Sequence, residues 1–153
     1  MENRQGTSRV LLDTSFLLPS LGIDVGEEVM EGLRKAVDVE AEMYYSDFSI
    51  LESLWVAARL SVRGVFDEQR FSLGLRSVIE GGIYAKAEAD SKTFNDSFKL
   101  YMLGHKDMVD NILYSTSTNL GLKFLTLDKE LKEFVHRRGL EDTFMSTDQL
   151  TLS

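Results

Sequence analysis

The chain has 153 residues, 43% of them hydrophobic, enough to bury the core of one domain. It has no cysteine and two histidines, which excludes a disulfide framework or a thiolate metal site and leaves oxygen or histidine ligands for any cation, oxygen being favoured with so few histidines. A net charge of −8 and a pI near 4.8 argue against binding nucleic acid by bulk electrostatics, so such a substrate would need a local basic patch, bridging cations or both.

Residues 1–8 are polar and read as a loose terminus, as do residues 147–153 at the other end of a single domain spanning 1–153. "RVLLD" reads as a short buried strand ending at Asp13. "TSFLLPSLG" leaves it through hydroxyl residues suited to a helix start, with Pro19 limiting that helix. Asp13 and Pro19 interrupt the apolar run here, so it makes neither a signal peptide nor a membrane span, and a cytoplasmic location is expected. Glu27 to Val37 is an amphipathic helix with Val29, Met30, Leu33 and Val37 inward. "EMYYS" follows as a second strand. Phe48 to Val62 is then a helix whose apolar side is Leu51, Leu54, Trp55, Ala58 and Val62, and Asp67 to Glu80 another with Phe71, Leu75, Val78 and Ile79 inward, ending at Gly81 and Gly82. "IYAKAE" is a third strand, and Ser91 to Leu103 a helix packed through Phe94, Phe98 and Tyr101.

The stretch 107–128 carries the most information. Val109, Ile112, Leu113, Thr116 and Leu120 form a mostly apolar stripe at helical spacing that closes on Gly121, and "KFLTLD" reads as a strand stopping at Asp128 before the helical "KELKEF". "TFMST" is a candidate fifth, edge strand. Strands alternating with helices at this rhythm give an α/β fold, a parallel sheet of four to five strands covered on both faces.

Right-handed crossovers bring the parallel strands out on one edge, where open α/β sheets bind ligands. Asp13, Glu52, Asp110 and Asp128 all fall there, at strand ends or in the first turns of helices. Such carboxylates repel unless protons or a divalent cation neutralise them, and an all-oxygen donor set suits Mg2+ or Mn2+. Each residue also has a plainer explanation. Asp13 and Asp128 precede helices, where aspartate is a preferred N-cap. Glu52 lies three residues after Ser49 and could close a capping box, although Phe48, Trp55 and Val56 surround it with apolar neighbours. Asp107 is read as a cap or outer acid, and His105 and His136 as surface residues near helix ends. Tyr44, Tyr45 and Tyr101 are read as core.

"LLDTS", "SDFSILE" and "DNILYSTSTNLGLKFLTLD" together resemble the PIN domain, a small metal-dependent nuclease domain. The resemblance covers nearly the whole chain and is weakest over residues 64–104. It implies a three-layer α/β/α fold and an acidic quartet of Asp13, Glu52, Asp110 and Asp128, with Ser15 and Thr126 as hydroxyls supporting the first and last aspartates. The expected function is a Mg2+- or Mn2+-dependent endoribonuclease similar to the toxin subunits of toxin-antitoxin pairs. Its expected partners are an RNA substrate, an antitoxin-like protein and a second copy in a homodimer; Arg59, Arg63, Lys129 and Lys132 are candidates for phosphate contact. An RNA-processing nuclease that is not a toxin, a noncatalytic interaction module of the same fold and a phosphatase-like metal hydrolase remain as alternatives. The last would want a second acid two residues after Asp13, where Ser15 stands.

Overall fold

The computed structural model describes residues 7–145. Five parallel strands form one sheet in the order β3-β2-β1-β4-β5: β1 (Arg9–Leu12), β2 (Glu42–Tyr45), β3 (Ala85–Lys86), β4 (Lys123–Leu125) and β5 (Phe144–Met145). Seven α-helices accompany it among the described residues: α1 (Thr14–Leu17), α2 (Glu27–Asp38), α3 (Asp47–Val62), α4 (Glu68–Glu80), α5 (Ser91–Leu103), α6 (Met108–Leu120) and α7 (Lys129–Arg137). A 3-10 turn at Leu18–Leu21, opened by Pro19, extends α1. The α/β class, the all-parallel sheet and the five strands are as the sequence predicts. The predicted N-terminal looseness stops short of Ser8, whose carbonyl accepts a 2.8 Å bond from Glu42 N. Residues 1–6 and 147–153, the rest of both predicted loose ends, lie outside the described residues, as do the last two residues of "TFMST".

Alternation along the strands divides the core into two sides. Leu11 and Phe124 meet Leu100 of α5, Leu113 and Tyr114 of α6, and Leu131, Phe134 and Val135 of α7. Val10, Leu12, Met43 and Leu125 face the other way, against Phe16 of α1 and Val29 and Ala36 of α2. A third cluster gathers Leu17, Leu21 and Tyr45 with Ala57 of α3 and Phe71 and Val78 of α4. This is a three-layer α/β/α arrangement, each fully buried Leu or Phe contributing on the order of 1.5–3 kcal/mol. Among the described residues both edge strands are two residues long.

The inward faces of the helices differ from the expected ones. In α3 the buried residues are Ser49, Ser53 and Ala57, while Leu51, Leu54, Trp55 and Val62 are exposed. In α5 they are Thr93, Ser97 and Leu100, with Phe94 and Phe98 exposed; in α2 Gly32 and Ala36 go in and Val37 stays out; in α4 Ile79 is exposed. For α3 and α5 the reason lies in α6, which touches α3, α5 and β4 and is buried all round from Asp110 to Ser117. Helices packed on an already buried helix approach through small side chains, and serine serves when its hydroxyl bonds back to its own helix, as Ser53 does to Ser49 O and Ser97 to Thr93 O, each at 2.7 Å. Gly121 takes the left-handed cap (φ 66°) that ends α6 and turns the chain into β4.

Candidate functional site

Every strand ends at the same edge, and the residues beyond the strand ends are held there by local bonds. Asp13 leaves β1 as the N-cap of α1, accepting from Thr14 N at 2.7 Å. Its other oxygen accepts from the hydroxyl of Thr126, just beyond the adjacent strand β4. Thr126 is 1% exposed, and its oxygen in turn accepts from Asp128 N at 3.1 Å. One hydroxyl thus ties two neighbouring strand ends together, donor and acceptor both used. Asp128 caps α7 through Leu131 N, and Asp107 caps α6 through Asp110 N, both at 3.1 Å. Asp110, in the first turn of α6, is buried beside Asp128. Glu52, in the second turn of α3, accepts from Thr14 Oγ1 at 2.5 Å.

The five acids and Thr14 line one crevice of about 340 Å3. All four members of the predicted quartet are on its wall, with Asp107 as a fifth carboxylate, and Ser15, Trp55 and Arg59 complete the rim. The capping explanation holds for Asp13, Asp107 and Asp128, so capping and convergence coexist in the same residues. It fails for Glu52: the cap of α3 is Ser46, and the Ser49 hydroxyl has no hydrogen-bond partner among the described residues. Arg63 ends α3, and Lys129 and Lys132 lie on α7 with the Lys132 ammonium 5.9 Å from the Phe144 ring; all three stand off the crevice wall, leaving Arg59 as the predicted phosphate contact that lies on it.

Two features were not expected. Ser15, expected to support Asp13, is exposed and makes no bond to it among the described residues; Thr126, expected to support Asp128, donates instead to Asp13 and meets only the backbone N–H of Asp128, and the hydroxyl that reaches Glu52 belongs to Thr14. His105 is buried, not superficial: its Nδ1 and Asn111 Oδ1 are 2.7 Å apart, the Asn111 amide donates to His105 O at 2.8 Å, and its ring lies 5.3 Å from that of Phe134. Because the amide nitrogen is the donor in the second bond, the amide oxygen receives the first, which places the proton on Nδ1. His136, at the exposed end of α7, pairs with Asp142 at 3.1 Å.

No family model matches the chain, and no curated protein matches it.

The electrostatics of the crevice are those of crowded acids. Burial pushes Asp110 up to about 9, helped by its hydrogen-bonding contact with Asp128 and by the charges of Asp13 and Asp107. Burial also acts to raise Asp128, but the bond from Asp110, the Leu131 N–H and the field of His105 outweigh it, and Asp128 lies below the usual carboxylate range. The pair therefore shares one proton. Asp13 is raised by burial against the bonds from Thr126 and Thr14, and Glu52 by burial against the bond from Thr14. A divalent cation would satisfy this charge, and the donor set is entirely oxygen, as Mg2+ or Mn2+ prefers. The residues fit such an ion in kind. As their side chains stand, no three acidic or imidazole groups among the described residues are close enough together to hold one.

Proposed function

We propose that this protein is a Mg2+- or Mn2+-dependent endoribonuclease, similar to the toxin subunits of toxin-antitoxin pairs. The observation that supports it is the convergence of Asp13, Glu52, Asp110 and Asp128, from four separate elements, on one crevice at the C-terminal edge of a parallel sheet. Asp13, Asp110 and Asp128 would hold the principal cation, with Glu52 completing its surroundings. When bound, such an ion supplies an activated water at neutral pH and offsets the charge that develops on a phosphodiester in in-line attack. The chain's own part is positional. Thr126 fixes the Asp13 carboxylate, Thr14 fixes Glu52, and the Asp110–Asp128 pair surrenders its proton when a cation takes its place.

Purified protein is expected to cleave single-stranded or loop RNA with Mn2+ or Mg2+ and to be inert in EDTA. Asp13→Asn and Asp110→Asn are each expected to lower the rate by orders of magnitude; variants that cleave like the parent would expose the activity as a contaminant. The exposed apolar residues of α3 and α5 favour a protein partner as well. Leu51, Leu54 and Val62 on one helix and Phe98 and Met102 on the other are joined by an edge-to-face contact of Phe48 with Phe94, centroids 5.7 Å apart. In our reading this face takes a second copy of the chain or an antitoxin-like protein. If RNA and metal both prove inert while such a partner binds, the noncatalytic interaction module replaces the nuclease.

A further inference from the structure

Trp55 is the chain's single tryptophan. It stands on the crevice wall and is 53% exposed, an unusual place for a side chain whose burial is so favourable. It follows Glu52 by one turn of α3 and precedes Arg59 by another, and all three line the crevice. By helix geometry Trp55 lies about 60° and Arg59 about 20° to one side of Glu52. The indole therefore borders the acids on one flank and the outer apolar residues Leu51 and Val62 on the other.

We propose that Trp55 is the platform on which an unpaired nucleobase of the substrate stacks, with Arg59 meeting an adjacent phosphate. This rests on the nuclease reading and deepens it by naming what selects the substrate. The need for such a contact follows from charge. A chain of net charge −8 gains no affinity for a polyanion from its overall field, and of Arg59, Arg63, Lys129 and Lys132 only Arg59 reaches the crevice. Base–aromatic stacking supplies affinity that does not depend on counterion release and tolerates any base, because every base has a π-face. It also selects strandedness, since bases in a duplex are already stacked on their neighbours. Arg59 is exposed and makes no ion pair with another described residue, so its guanidinium is available to a phosphate oxygen.

The test uses the full chain in its slow-cleaving Asp110→Asn form with Mg2+, titrated with a short single-stranded oligoribonucleotide, its deoxy counterpart and the same sequence as a duplex. Emission reports Trp55 alone. The expected result is saturable quenching by the single strands and little by the duplex. Because replacing Trp55 removes the emission signal, the variants are titrated by the anisotropy of an end-labelled single strand: Trp55→Phe is expected to retain affinity within a few-fold, and Trp55→Ala to lose roughly 10- to 100-fold. In the otherwise unaltered enzyme, Trp55→Ala is expected to raise KM far more than it lowers kcat. Melting curves establish that the exposed position tolerates both replacements. Cleavage with unquenched Trp55, or an unchanged Kd for Trp55→Ala, overturns the stacking role and leaves the nuclease standing. Quenching without cleavage in the parent protein keeps the stacking site and removes the nuclease. A blue shift of emission with protein concentration, in the absence of RNA, assigns Trp55 to a protein interface and overturns the proposal.

Discussion

At Asp110, burial and three negative neighbours act in one direction, and linkage fixes the sign of the resulting pH dependence. An unfolded aspartate loses its proton near pH 4, while folded Asp110 keeps it up to about 9. Between those limits the folded chain binds more protons, so its stability falls as pH rises. Asp13 and Glu52, also raised, add the same sign; Asp128, lowered, contributes stability that is lost as pH falls. In EDTA the melting temperature is therefore expected to decline from pH 5 to pH 9, and Asp110→Asn should remove most of that slope. An unchanged slope would place the proton elsewhere. Thr126 makes a second prediction at this scale. Thr126→Val removes the donor to Asp13 and the acceptor for Asp128 N at a position that is itself buried. It is expected to cost about 1–3 kcal/mol in urea unfolding, whereas Thr126→Ser keeps both bonds and most of the stability.

Among the elements, α4 shows how packing overrides local preference. Alanine is a better helix former than glycine by about 1 kcal/mol, so Gly74→Ala in mid-helix looks stabilising. Yet a Cβ at Gly74 would lie 2.5 Å from Ser20 O and 2.7 Å from Leu21 Cα, backbone atoms of the 3-10 turn that cannot step aside. The substitution is expected to destabilise by about 1–3 kcal/mol, and a rise in the urea midpoint would show that α4 sits further from the turn. The same effect limits what periodicity reveals. Strand and helix positions are readable because turn residues and caps mark them. The inner faces of α3 and α5 are not, because a hydrophobic stripe reads as the buried one, while close approach to α6 selects Ser49, Ser53, Thr93 and Ser97. In the crevice, the four acids are readable from their places at strand ends and helix starts. Thr14 is not, since either hydroxyl of "DTS" could face the acids. Nor is the His105–Asn111 pair, whose partners meet across a turn that no sequence period describes.

For the molecule as a whole, the proposed cation site would tie stability to cation binding. At an excess of about 100 times Kd, Mn2+ or Mg2+ should add roughly 2.7 kcal/mol, a rise in melting temperature on the order of 5–10 °C for a chain of this size. Asp128→Asn separates two origins of that gain. If repulsion dominates, the variant melts slightly higher than the parent in EDTA and gains less from the ion. If capping of α7 dominates, it melts at the same temperature or lower. A parent protein indifferent to millimolar Mn2+ and Mg2+ would favour the interaction module.

The order of the strands also sets when the crevice can exist. β1 lies at the centre of the sheet, and β2 can join one side of it early, but the other side waits for β4. The Thr126–Asp13 bond closes a separation of 113 residues, and contacts of such range form slowly because the loop must be closed before they reward it. A chain emerging from the ribosome at about 5–20 residues per second therefore carries Asp13 and Glu52 for several seconds without Asp110 or Asp128 to complete the site. For the proposed RNA-cutting enzyme, the nascent chain would lack a complete site until Asp128 has been translated and β4 has paired with β1.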